Sequence, residues 1–443
     1  MLERLTIAAL TRNMTKAMST QEAKDVGWSR KTAQELYAQR EKRVLDAIAL
    51  KKPDRVPILV LFQFFPAKHT GLSTLEMMYD SEKASATHMN TMLEFEPDMD
   101  LSPYHTLFYG SILDVLDSKQ LRWAGHSLRS EMGFQFLEGE RMMADEYDQF
   151  LTDPTDFVIR KYWPRSFGAL KGLGVLPPIR NLFNHSGFAL GSAEFALPDV
   201  AAALENLKLI GQLSAQNVSN AKSFAEEAKE AGFPMQFGGQ VLAPFDRLSD
   251  YFRGTRAGLL DMYRRPTDVV KACEKIVPLA LESAVAACES SGNPRVFIPL
   301  HKAHDRFMSP QQFERFYWPS LHDLIVALID QGLTPCPFWQ GDCTSRLETI
   351  KDVPVGKACY AFESTDMFRA KQILGDTVCI RGNVPLSILA TGAPDDVHAY
   401  CKKLIDFVGK DGGFIMDASA SLDDAKPENV KAMFEFTRAY GTY

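Results

Sequence analysis

The second half of this chain repeats one rhythm, and that rhythm limits the folds open to it. Short apolar runs alternate with helix-length amphipathic segments. The runs are RVFIPL (295–300), TPCPFW (334–339), KACYAF (357–362), TVCIRG (377–382) and GGFIMDA (412–418). Between them lie SPQQFERFYWPSLHDLIVALIDQG, TSRLETIKD, TDMFRAKQILG and APDDVHAYCKKLIDFVGK, and KPENVKAMFEFTRAYG follows the last. Ser309 is placed to cap the first of these helices, with Pro310 at its first position and Gly332 past its end. Strand–helix alternation without hairpins predicts a parallel sheet. Runs that are continuously apolar fit strands buried on both faces. ILVLFQFF (58–65) is an earlier run of the same kind, behind a polar, helical N-terminal stretch and the break KKPDRVP.

The polar residues sit just past each run, in HKAHD, QGDC, ESTD, RGN and DASAS. In a parallel barrel all strand C-termini share one rim, and that rim carries the site. A doubly wound open sheet also binds at strand C-termini, but it usually opens on a glycine-rich phosphate turn. Neither G-x-G-x-x-G nor G-x-x-x-x-G-K-[ST] occurs, so no nucleotide cofactor is expected. No glycine-, serine- or proline-rich linker divides the chain. We therefore expect an α/β fold, a single (β/α)8 barrel domain over 51–443, with 1–50 as an N-terminal helical extension. FQFLEGERMMADEYDQFLTDP (134–154) reads as an interior helix after a turn.

The net charge of -7 argues against a nucleic-acid surface, which needs a basic face. No window reaches the roughly 18 uninterrupted apolar residues of a membrane span. The short apolar run near the N-terminus is broken by Arg12 and carries no cleavage pattern, which speaks against a signal peptide. Seven cysteines, none spaced C-x-x-C, fit a reduced, cytoplasmic protein with packed thiols.

In order along the chain, REKRVLDAIALKKPDRVPI, MSPQQFERFYWPSLHDLI, KQILGDTVCIRGNVPLSILATGAPDDV and KPENVKAMFEF resemble proteins of the uroporphyrinogen decarboxylase superfamily. The likeness spans roughly 40–440. It implies a (β/α)8 barrel, a homodimer, and one of two activities: tetrapyrrole decarboxylation, or zinc-dependent methyl transfer with a corrinoid carried by a partner protein. The decarboxylase's arginine-rich MRQAGR signature has no counterpart in 56–75. The methyltransferase's H-x-C-G-[ND] aligns with Phe338, Gln340, Gly341 and Asp342, which keeps the glycine and the acid only. Its last thiolate falls near Ala418 or Ser419.

The candidate site residues follow from the rim. His301, His304, Asp305 and Glu363 are expected as catalytic groups, since a histidine beside an acid can move protons near neutral pH. Tyr104, His105, Gln340, Arg381 and Asn383 are expected to contact a small-molecule substrate. A relocated zinc site would draw on His301, His304, Asp342, Cys343 and Glu363, which offer nitrogen, sulfur and oxygen donors from neighbouring strand ends. Each has a plainer reading. His304 and Asp305 also suit a hydrogen-bonded loop pair, Cys343 a packed thiol, and Arg381 an ion pair inside the barrel. Asp366 suits a helix N-cap. The arginines of 246–266 (Arg247, Arg253, Arg256, Arg264, Arg265) suit either an anion-binding lid or a solvated helix face. Three functions remain open. The first is a corrinoid-linked methyltransferase or demethylase of a small methylated substrate. The second is a metal-independent decarboxylase or lyase on a carboxylated substrate, a tetrapyrrole included. The third is a corrinoid- or tetrapyrrole-binding relic.

Overall fold

The structure, a computed structural model, describes residues 31–102, 104 and 110–443. A two-stranded antiparallel ribbon, β1 (Leu121–Arg122) and β2 (Gln135–Phe136), precedes a six-stranded parallel sheet. Its strands are β3 (Gly239–Gln240), β4 (Arg295–Leu300), β5 (Thr334–Trp339), β6 (Cys359–Phe362), β7 (Cys379–Arg381) and β8 (Phe414–Ile415), each paired with the next in sequence. Two further segments close the sheet on itself. Ile58 bridges Met416 beyond β8, Leu59 bridges Met99, and Asp100 bridges Met235 ahead of β3, all in parallel. Eight parallel segments thus form the expected barrel, and all five apolar runs of the second half supply strands.

Inside it, Leu59, Leu61, Met99, Leu101, Phe237, Cys336, Cys359, Cys379 and Ile415 pack as one cluster. Val44, Ala47 and Ile48 of the helix Ala33–Ile48 join the same cluster, so this helix plugs the end at which the strands begin. The PDR of KKPDRVP holds it there. Asp54 accepts two hydrogen bonds from Arg43 (2.6 and 2.5 Å), and Arg55 grips buried Asp98 (2.8 and 2.9 Å). The expected N-terminal helical extension is seen over 33–48; its residues 1–30 lie outside the described residues.

The helices of the second half begin and end as the sequence predicts. Ser309 forms a capping box with Gln312, Pro310 follows it, and Gly332 takes a left-handed φ of 75°. The stretch 134–154 differs from expectation. Gln135 and Phe136 pair with the ribbon, and only Tyr147–Thr152 is helical. Glu140 pairs with Arg253 and Glu146 with Arg165, and the helix starts only past Glu146, which stands at its N-cap position. A long excursion over 110–230, ending in the helix Pro198–Glu230, separates the second and third barrel segments. Among the described residues no helix is long and apolar enough to cross a membrane.

Candidate functional site at the barrel rim

The site starts from two aspartates one helical turn apart. Asp246 and Asp250 follow β3 on a helical stretch, and their i, i+4 spacing aims both at the end of β4. Asp246 is fully buried. Its carboxylate accepts from the backbone N–H of His301 (2.8 Å), from that of Lys302 (3.1 Å) and from the Tyr317 hydroxyl (2.6 Å). Three donors fix the chain where it leaves the strand. Asp250 then meets His301 Nδ1 at 2.5 Å, and Lys302 Nζ lies 3.4 Å from its other oxygen. With Nδ1 held by Asp250, Nε2 is the nitrogen left for a substrate, on a side chain one-third exposed (33%).

The charges follow from burial and proximity. Burial, then the charge of Asp250, pushes the Asp246 carboxyl up to about 6. Burial alone would pull the His301 imidazole down. The hydrogen bond to Asp250 and the charges of Asp246 and Asp250 outweigh it, and its pKa lies above the ordinary value. Burial, with Asp246 behind it, drives Tyr317 well above a normal phenol, so it stays a hydrogen-bond donor.

Beside this network, the loops after β5, β6 and β7 are tied together. The Glu363 carboxylate accepts from the backbone N–H of Gly341, and Ser364 N–H reaches the Gly341 carbonyl (3.3 Å). Gly341 has a φ of 69°, and a Cβ there would lie 2.7 Å from the Cβ of His304, so the position demands glycine. Asn383 donates to the carbonyls of Glu363 (3.2 Å) and Thr365 (3.1 Å) and accepts from the Tyr400 hydroxyl (3.1 Å). Glu363, Asn383 and Tyr400 line one cavity of about 580 Å³ with Asp366 and Ser419.

The sequence-predicted residues therefore share a rim but not one cavity. Glu363 and Asn383 come together. His301 turns to the β3 side. His304 packs its ring near Phe307, and burial, then Lys302, lowers its pKa. Asp305 accepts from Ser345 (2.8 Å to the hydroxyl) and pairs with Arg346 (3.2 Å), while Asp342 accepts from Thr344. Both acids are thus engaged in loop structure. Gln340 is half-buried past β5, its backbone N–H on Leu300. Arg381 sits in the barrel interior, paired with buried Asp417 at 2.6 Å, which is the ion-pair reading and not the carboxylate clamp. Tyr104 bonds Ser85 (2.8 Å) and lines a separate cavity with Gln240 and Arg247. His105 lies outside the described residues. Asp366 caps the helix Met367–Leu374 through its carboxylate. Of the arginines in 246–266, Arg253 is buried against Asp261 and Glu140, and Arg256 and Arg264 are exposed.

The candidate zinc ligands do not fit a metal centre. His301 Nδ1 faces Asp250, Glu363 faces a backbone N–H, and the Cys343 thiol, pushed up by burial, lies 3.7 Å from the Gln340 carbonyl. Among the described residues no three His, Cys, Asp or Glu side chains form a group able to hold a metal.

Sequence reading missed Asp246, Asp250 and Tyr317. A signal existed: FDRLSD places two acids one turn apart just past a short strand. The arginines around it are the denser feature of the sequence, although Asp246 and Asp250 are the residues that touch His301.

Comparison with known proteins agrees with this architecture. A family model described as Uroporphyrinogen decarboxylase (URO-D) matches residues 194–440. A uroporphyrinogen decarboxylase of Chlorobium luteolum is 24% identical over 182 residues, 40% of this chain and 50% of the relative. One from Syntrophotalea carbinolica is 23% identical over 170 residues, 38% of this chain and 48% of its own. The chain spans about half the length of these curated relatives. Among solved structures, a methyltransferase from Methanosarcina mazei superposes with a TM-score of 0.56 at 14% identity, covering 90% of this chain and 98% of that one. That likeness concerns the fold.

Proposed function

The chain belongs to the uroporphyrinogen decarboxylase family, and from that premise we propose that it decarboxylates a carboxylated substrate at the barrel rim, with His301 as proton donor. The bond between a substrate carbon and its carboxylate breaks, and CO2 leaves without the bonding pair. The pair left on carbon takes the proton of His301 Nε2. Asp250 keeps Nδ1–H in place and steadies the imidazolium before transfer, and solvent restores the proton. The observation that carries this reading is the 2.5 Å contact of Asp250 with His301 inside a buried network. A positioned general acid is worth roughly 10²–10⁴-fold in rate. The names of the curated relatives support the same reaction class.

Methyl transfer to a corrinoid on a partner protein is the second reading. It draws on the methyltransferase whose fold covers most of the chain. In that case His301 would protonate the leaving group, since the candidate zinc ligands face other partners.

The test is CO2 release from a panel of carboxylated substrates, uroporphyrinogen III included, with methylation of free cob(I)alamin by methylated compounds measured in parallel. We expect CO2 release that falls roughly 10²-fold or more in His301→Gln, assayed on protein whose circular dichroism spectrum shows it folded. Undiminished turnover in that variant contradicts the role of His301. Methylated corrinoid without CO2 replaces the first reading with the second.

A further inference from the structure

Three cysteines stand at one level inside the barrel, on strands that lie side by side. Cys359 of β6 and Cys379 of β7 are partners in the strand register. Phe338 of β5 pairs with Ala361 of β6, so two residues back along each strand Cys336 stands beside Cys359. All three are buried in the interior cluster. Residues two apart share one face of a strand, which puts Arg381 on the inner side with Cys379. Neighbouring strands run about 4.7–4.9 Å apart, inside the roughly 4.4–6.8 Å that separates the Cα atoms of a disulfide. The Cys379 thiol already hydrogen-bonds that of Cys359.

The three thiols are not equivalent. The hydrogen bond from Cys379, helped by the charge of Arg381, lowers the pKa of Cys359 against its burial. Burial drives Cys379 and Cys336 the other way. The thiolate is the form that attacks an oxidant. Cys336, Cys359 and Arg381 also line a cavity in the bore, and Ala418 and Ala420, past the end of β8, belong to its wall. It leaves about 10 Å³ for the centre of a water-sized molecule, which is room for a single small guest. Hydrogen peroxide, one oxygen larger than water, suits such a space. A glutathione-sized disulfide does not.

We propose that Cys359 and Cys379 are a peroxide-reactive pair that closes into a disulfide between β6 and β7. The Cys359 thiolate attacks one oxygen of hydrogen peroxide. The O–O bond breaks, and the hydroxide that leaves takes up the proton Cys359 has shed. Cys359 is then a sulfenic acid. The Cys379 sulfur attacks it, the S–O bond breaks, and the Cys379 proton departs with that hydroxide as water. Two thiols are oxidised and one peroxide is reduced, giving one disulfide and two waters. The pair is independent of the reaction proposed at His301.

The test is hydrogen peroxide treatment of the folded full chain, followed by peptide mapping with mass spectrometry. Cys401, whose thiol burial pushes up to about 12, is the internal reference. A peptide pair joined through Cys359 and Cys379 is expected, formed roughly tenfold or more faster than Cys401 is oxidised, and undone by dithiothreitol. In Cys379→Ser, denaturation in dimedone after peroxide is expected to label Cys359. In Cys359→Ser, Cys379 is expected to stay reduced. Should a variant lose its circular dichroism spectrum, the wild-type map decides alone. Absence of the Cys359–Cys379 link, a link through Cys336 in its place, or oxidation of Cys401 at the same rate overturns the proposal. So does a Cys379 oxidised as fast in folded Cys359→Ser as in the wild type.

Discussion

At the scale of single residues, the barrel separates two uses of buried charge. Asp246, Asp250 and His301 form a network open to solvent on one side, where a proton can leave. Arg381 and Asp417 form a closed pair inside the barrel, and burial raises Asp417 to about 6 although the Arg381 charge opposes it. A closed pair of this kind is costly to break from one side. Asp417→Ala should destabilise the fold by about 3–5 kcal/mol, because it strands the guanidinium, whereas Asp417→Leu with Arg381→Met should recover most of that loss. Urea denaturation of the three proteins checks this, and equal losses in single and double variants would contradict it. The sequence showed Arg381 at a strand end but left the clamp and the ion pair equally open. The difference lies in side-chain direction, which depends on the register of β7 against β8.

At the scale of elements, the loops after the strands serve two ends. The loop after β4 presents His301, while those after β5, β6 and β7 are tied to one another by Glu363 and Asn383. Gly341 is where the ties are tightest. Gly341→Ala should cost about 1–3 kcal/mol, since the left-handed backbone resists a side chain and the new methyl would press on His304. A chemical-denaturation midpoint equal to that of the wild type would contradict this. The strands and their helices were legible because apolar runs and caps such as Ser309 and Asp366 are local signals. The ribbon at Gln135–Phe136 was not, since its pairing with Leu121–Arg122 depends on a distant segment. Similarly, Cys343 and Asp342 carry metal-binding atoms in the right loop. Whether those atoms converge is decided by neighbours: Thr344 already bonds the Asp342 carboxylate, and the Thr365 hydroxyl fixes the backbone of Cys343 by accepting from its N–H.

At the scale of the molecule, closure of the sheet brings residues 51 positions apart, Asp250 and His301, into contact. The rim itself was legible, because polar residues follow every apolar run. The partner of His301 was not, because it comes from the helix after β3, a strand of two residues too short to stand out. The contact has a measurable sign. A raised pKa means that the folded chain holds the His301 proton more tightly, so its stabilising contribution is complete below the ordinary value of about 6.5. That contribution fades as pH rises through the raised value. In the proposed reaction the imidazolium is also the acid, so turnover is expected to fall over the same window. The most direct test is an NMR titration of labelled histidine in the wild type and in Asp250→Asn, with His301 assigned by its loss in His301→Gln. The account predicts a His301 pKa above the ordinary value that drops when Asp250 loses its charge. A His301 that titrates at or below the ordinary value, and does so identically in both proteins, would contradict it.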